Sequence, residues 1–296
     1  MKNRLYRIIL LFAAFGSVAD LSAQVKEVAE MWNKQLDTVK VDFKKPMYLT
    51  VSKDQALELF SSQPDFGLYK DNYFITGIPT NIPANNQTAD AKFQISIRQR
   101  LFNTIMPFNT QLMLIYTQKS FWNIYEESCP VADNNYNPGL LLTRPIIHKN
   151  SFKGMLALSF EHESNGRKGA ENRSWNFFTF SGTYFFNSYF FAQAKIWYGW
   201  LGEDNTELYE CRGFGLLALN YRGANNLVAV SFVLNPIKDF SVNTQLEVSY
   251  KINKRANQFL FLQWYNGRGE NLLNYNRHTS MVRAGICIKS PLRNLY

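Results

Sequence analysis

The chain has 296 residues, with 32 Lys and Arg against 23 Asp and Glu, a formal charge of +9, and 16% aromatic residues. Its three cysteines, Cys129, Cys211 and Cys287, are too few and odd in number for a disulfide framework, and its three histidines exclude a histidine-rich metal centre. A basic balance favours anionic partners; because the chain opens like an exported protein, lipid headgroups outrank nucleic acid as the counter-charge.

Met1 to Ala23 carries a basic start (Lys2, Arg4, Arg7), an apolar run from Ile8 to Phe15 and a small-residue exit at Leu21-Ser22-Ala23. This is the layout of a secretory signal peptide, and the run is short of the ~20 residues a spanning helix needs. Cleavage would leave Gln24 as the N-terminus, with 29 basic and 22 acidic residues remaining. Residues 24–65 read as a periplasmic N-terminal segment, with a short amphipathic helix around Val28 to Leu36.

From Phe66 onward the chain divides into twelve alternating segments of about ten residues, the pattern of an all-β transmembrane antiparallel barrel spanning residues 66–296. Strands are expected near Phe66 to Ile78, Lys92 to Arg98, Gln111 to Lys119, Gly139 to Pro145, Gly154 to Ser164, Asn176 to Phe186, Ala192 to Tyr198, Phe214 to Arg222, Leu227 to Leu234, Val242 to Lys251, Asn257 to Asn266 and Met281 to Ile288. Each has an apolar and a polar side: Phe93, Ile95 and Ile97 oppose Lys92, Gln94, Ser96 and Arg98, and Val242, Leu246, Val248 and Tyr250 oppose Asn243, Gln245, Glu247, Ser249 and Lys251. A water-soluble sandwich alternates in the same way. The export signal and an ending on aromatic Tyr296, shortly after an alternating strand, favour the outer-membrane barrel, and an even number of strands closes without an open edge.

Successive strand residues face opposite sides, so His162 and Ser164 share a face with Leu156, Leu158 and Phe160, the greasy one. In a membrane barrel that face meets lipid. Ser becomes a nucleophile when a neighbouring base takes its proton and a third group holds the base. Taking Arg167 to Arg173 as a connecting loop makes a hairpin whose register returns Asn176 to His162. An amide there accepts the imidazole N–H without bringing a formal charge into a low dielectric. The same three residues also read as polar groups at the outer rim, satisfied by headgroups.

The runs His162-Glu163-Ser164-Asn165-Gly166-Arg167 and Arg173-Ser174-Trp175-Asn176, with the spacing between them, resemble the core pattern of outer membrane phospholipase A, a family of calcium-dependent barrel enzymes of Gram-negative bacteria. Tyr116 to Trp122, Glu126 to Pro130, Asn135 to Pro138 and Tyr265 to Tyr275 extend the resemblance, which spans Phe66 to Tyr296. It implies a multi-pass outer-membrane enzyme with its active site on the barrel's outer face, hydrolysing sn-1 and sn-2 acyl esters of phospholipids and lysophospholipids. Ser164 would be the nucleophile, His162 the base and Asn176 its orienter, with the Gly166 N–H in the oxyanion site.

The same resemblance implies Ca2+, bound by the Arg167 carbonyl and by Ser128 of the partner subunit. Asn172 stands where the family usually has a Ser ligand, and Asp204 matches a further calcium position only across a gap. Gln118, polar on an apolar face, would lie in the interface of a homodimer that switches activity on. Two rivals keep the barrel and discard the enzyme: a porin-like channel lined by Lys92, Arg98, Lys195, Glu247 and Lys251, and a degenerate lipid-binding barrel.

Overall fold

A strand with one apolar and one charged face is stable only where each face meets a matching medium, and closing the sheet on itself separates the two. The computed structural model describes residues 53–148, 151–187, 189–201, 207–223, 227–238, 241–253 and 257–289. Helix α1 (Lys53–Ser61) is followed by β1 (Phe66–Leu68), β2 (Asn72–Pro79), β3 (Asp90–Arg100), β4 (Gln111–Trp122), β5 (Val131–His148), β6 (Ser151–Ser164), β7 (Ser174–Phe185) and β8 (Phe190–Leu201). Helix α2 (Leu208–Arg212) then precedes β9 (Gly215–Arg222), β10 (Val228–Pro236), β11 (Val242–Lys251), β12 (Gln258–Gly267) and β13 (Thr279–Ile288). From β2 to β13 every strand pairs antiparallel with its sequence neighbours, and β13 returns to β2, closing the expected twelve-stranded barrel.

Two strands differ from expectation. The segment expected to run unbroken from Phe66 to Ile78 is interrupted between β1 and β2, both of which pair with β3. The break wraps around Ser96. Its carbonyl accepts the Tyr69 N–H at 3.3 Å, its Oγ accepts the Lys70 N–H at 3.1 Å, and its own N–H donates to Asn72 Oδ1 at 2.7 Å. Strand β5 begins at Val131, well before the expected Gly139, and pairs with β4 along Asp133 to Asn137. That stretch has no apolar face to betray it; inward-facing Asp133 and Asn135 are buried and bond each other at 2.7 Å.

The barrel is inside-out relative to a soluble one. Outward-facing Ile95, Leu114, Leu158, Phe178, Ile196, Leu219 and Leu260 are exposed, whereas inward-facing Lys92, Arg98, Gln263 and Arg283 are 1–2% exposed. An apolar belt of this extent is sustained by hydrocarbon and not by water. Inside, Arg283 reaches Asp90 at 2.7 Å and Glu270 at 2.7 Å, Lys92 reaches Glu270 at 3.0 Å and Gln263 at 2.8 Å, and Gln263 donates to Glu247 at 2.9 Å. Beside this network lies a cavity of ≈ 220 Å³ whose lining includes Lys119, Glu161, Glu163, Lys195 and Arg212. The loop between β12 and β13 folds over it, because Asp133 Oδ2 accepts the N–H groups of Leu272 and Leu273 at 3.1 and 3.0 Å.

At the opposite mouth, Gln111 Nε2 donates to the Phe60 carbonyl at 3.0 Å, and Arg100 donates to the carbonyls of Ser61 and Gln63 and pairs with Asp65. The last residues of the segment expected to precede the barrel therefore fold onto its interior. The expected signal peptide and the helix near Val28 to Leu36 lie outside the described residues. All three cysteines are free thiols.

Burial alone would raise the Glu270 carboxyl, but Arg283 and Lys92 outweigh it and hold its pKa at about 2. Because the folded value lies below the ordinary 4.5, the stabilisation is complete above pH 4.5 and is lost as pH falls towards 2. Glu270→Gln leaves two buried cations short of a counter-charge, a loss of about 3 kcal/mol or more. Chemical denaturation is expected to show that deficit at pH 7, and the gap between variant and wild type should narrow progressively below pH 4.5.

Candidate active site

Strands β6 and β7 form a hairpin in which Phe160 faces Phe178, His162 faces Asn176, and Ser164 faces Ser174 as the last pair. His162, Ser164 and Asn176 all project outward and are half-buried at the end of the barrel where the long loops emerge. The His162 Nδ1–H donates to Asn176 Oδ1 at 2.9 Å. With Nδ1 protonated, Nε2 keeps its lone pair free to act as a base. Ser164 lies two residues along the same face, about 7 Å further up the strand. Among the described residues no hydrogen bond joins its hydroxyl to the ring; such contacts in ligand-free sites often tighten only when substrate arrives. Below the three polar groups the surface is aromatic: Phe160 and Phe178 approach to 5.1 Å between ring centroids, and both adjoin Trp200, at 6.0 and 5.8 Å.

The loop from Asn165 to Arg173 is held by Asn165. Its Oδ1 accepts the N–H groups of Arg167 at 3.3 Å and Arg173 at 3.0 Å, its Nδ2 donates to the Glu171 carbonyl at 2.8 Å, and its own N–H donates to the Arg173 carbonyl at 3.0 Å. Gly166 has φ +68°, a left-handed conformation that strains any L side chain, and a Cβ there would stand 3.1 Å from the Tyr136 ring. Gly is thus favoured by the backbone, and a larger residue would also have to displace the Tyr136 ring slightly. Asn165 and Arg173 stand within the motif without a chemical role expected of either, yet an Asn directly after a strand and before Gly is itself a turn signal.

Of the residues expected to bind calcium, two occupy this loop. Arg167 and Asn172 lie within the Asn165–Arg173 loop, Ser128 is exposed in the turn between β4 and β5, and Asp204 lies outside the described residues. Among the described residues no three His, Cys, Asp or Glu side chains gather as a metal site. The available donors are the Arg167 carbonyl and the Asn172 amide oxygen. The nearby Glu171 carboxylate is taken by the Arg167 guanidinium, which also donates to the Ala132 carbonyl at 2.6 Å. An all-oxygen set suits a hard cation. Two donors fall short of the six to eight that calcium takes, so the set fits calcium only when completed by water and a second chain.

Gln118 projects outward from β4. Its Oε1 accepts the Tyr116 hydroxyl at 3.1 Å, its Nε2 donates to Ser120 Oγ at 3.1 Å, and Ser120 donates onward to Asn134 at 2.6 Å. One amide N–H and one lone pair of the oxygen are not used in this ladder, which leaves half of the amide's bonding capacity for another molecule.

Residues 62–288 match the phospholipase A1 family. Phospholipase A1 of Escherichia coli K12 is 29% identical over 212 residues, covering 69% of this chain and 71% of the relative. Outer membrane phospholipase A from Escherichia coli superposes with a TM-score of 0.70 at 25% identity, covering 79% of this chain and 97% of that one. A Salmonella typhi outer membrane phospholipase dimer with bound calcium gives a TM-score of 0.69 at 24% identity, with 79% and 96% covered, and shows the same fold. The chain belongs to the phospholipase A1 family.

Proposed function

We propose that the protein is an outer-membrane phospholipase that hydrolyses acyl esters of phospholipids and lysophospholipids at both sn-1 and sn-2. The observation that carries this reading is the 2.9 Å His162–Asn176 bond beside Ser164 on the outer, lipid-facing surface of a barrel. Ser164 Oγ attacks the ester carbonyl while His162 Nε2 takes its proton. The tetrahedral intermediate collapses, the glycerol oxygen leaves with the proton held by His162, and water repeats the sequence on the acyl-enzyme. Asn176 keeps the imidazole in the tautomer and orientation both half-reactions need. The Gly166 N–H, presented by a left-handed turn two residues after the nucleophile, stabilises the oxyanion.

Calcium would be held by the Arg167 carbonyl, the Asn172 amide and Ser128 of the partner subunit, supplying Lewis-acid charge beside the developing oxyanion. That ligand set makes the active form a homodimer, for which Gln118 offers a half-satisfied amide at the contact face. The aromatic surface around Phe160, Phe178 and Trp200 lies where acyl chains of a bilayer lipid already are. A dedicated signal peptide over residues 1–23, cleaved on export to the outer membrane, completes the proposal.

Fatty-acid release from mixed phospholipid micelles by the refolded protein tests this reading. Ser164→Ala should lose at least about 10⁴-fold in kcat while keeping a heat-modifiable barrel; retained activity would refute the nucleophile. Asn176→Ala should lose about tenfold, the rate equivalent of a hydrogen bond worth about 1.4 kcal/mol.

A chelator should abolish release and calcium should restore it. Asn172→Ala is expected to raise the calcium concentration needed for half-maximal activity, with Asn172→Ser close to wild type. A variant indistinguishable from wild type in its calcium titration would remove Asn172 from the ligand set.

A further inference from the structure

Between His162 and Ser164 stands Glu163, which the strand's pleat turns to the opposite side, into the barrel. It is 8% exposed and does not reach the outer surface where the reaction is proposed to occur. Its cross-strand neighbour is Trp175, the residue before Asn176. The Trp175 Nε1–H donates to Glu163 Oε2 at 2.8 Å, and Arg212 donates to Glu163 Oε1 at 2.8 Å. The carboxylate therefore spans the hairpin from the lumen side, on the pair between His162–Asn176 and Ser164–Ser174. Above it the ladder has one more pair, Ser164–Ser174, before the loop that Asn165 fastens to Arg173.

The partners are fixed in their turn. The Trp175 indole stacks on Phe177 at 4.1 Å and meets Tyr209 edge-on at 6.4 Å, in a cluster with Leu208, Cys211 and Leu272. Arg212 is carried by α2, which β10 and β11 anchor: Asn235 donates to the Arg212 carbonyl at 3.1 Å and Asn243 to the Cys211 carbonyl at 3.1 Å. A charged clamp thus ties the site's hairpin, through α2, to strands β10 and β11. Removing the carboxylate would leave the partly buried Arg212 cation without its counter-charge.

We propose that Glu163 and Trp175 are positioning residues, whose lumen-side hydrogen bond holds β6 and β7 in the register that lets His162 and Asn176 bond on the outer side. The proposal rests on the Ser164–His162–Asn176 reading and adds residues that never touch substrate. Glu161, two residues earlier on the same inner face, supplies the control. It is also buried, its cross-strand neighbour is Phe177, and its polar partners lie off β7: the Ser159 hydroxyl donates to it at 2.6 Å within its own strand, and Lys195 on β8 approaches to 4.0 Å.

The experiment measures kcat and KM for phospholipid in mixed micelles with calcium, for full-length wild type and the variants Trp175→Phe, Glu163→Ala, Glu163→Gln and Glu161→Gln. Trp175→Phe keeps an aromatic ring against Phe177 and removes the N–H with the rest of the indole's five-membered ring. It and Glu163→Ala should lose about tenfold or more in kcat with KM within about twofold, as expected when reacting groups are displaced by a fraction of an ångström to an ångström. Glu163→Gln, which can still accept the indole N–H, should recover most of that loss, and Glu161→Gln should stay near wild type. Wild-type kcat in Trp175→Phe, or an equal loss in Glu161→Gln, would overturn the proposal. Trp175→Phe is decisive even if Glu163→Ala fails to fold. An inactive wild type would instead bring down the function on which the proposal rests, and the proposal with it.

Discussion

Everything in this protein depends on the pleat of a strand that separates hydrocarbon from a charged interior. Residues 162, 163 and 164 alternate out, in, out, so the proposed base and nucleophile face lipid while the carboxylate between them faces the lumen. A one-residue slip would exchange the two sets, placing Glu163 in hydrocarbon and His162 among the interior charges. Register is thus enforced from both sides. The outer side demands apolar residues below the site, and the inner side demands that Lys92, Glu270, Arg283 and Asp90 find one another.

The chemistry proposed at the rim follows from that enforcement. The barrel walls supply His162 and Asn176 as a cross-strand pair, and the short loop beyond them supplies what a strand cannot: a left-handed Gly166 and free main-chain donors and acceptors. Asn165 fastens the loop by bonding to main-chain groups near both of its ends. The site therefore needs no deep pocket in the chain itself. On the proposed reading the substrate's own bilayer covers one side of it and a second copy covers another.

Much of this was legible in the sequence because the period-two pattern is physical. The twelve strands, their inward and outward faces and the return of Asn176 to His162 follow from alternation and one loop length. What escaped were features without an apolar signature. The polar start of β5 is held by Asp133 and Asn135 bonding inside the barrel, and the break at Tyr69 to Asp71 by a single Ser96. The Glu163–Trp175–Arg212 clamp joins residues 49 apart, which no local pattern reveals. Gln118 reads from sequence as a polar residue on an apolar face; within one chain it already has Tyr116 and Ser120, and half its capacity remains.

The central claim is that a serine on the lipid-facing surface of a closed barrel is the nucleophile. The most direct measurement is incubation of the refolded protein with a long-chain alkylsulfonyl fluoride, with calcium and with chelator, followed by peptide mass spectrometry. The account expects a single sulfonylated serine, Ser164, formed in calcium and suppressed by chelation or by His162→Ala. Labelling of a different serine, or inactivation without modification of Ser164, would contradict it.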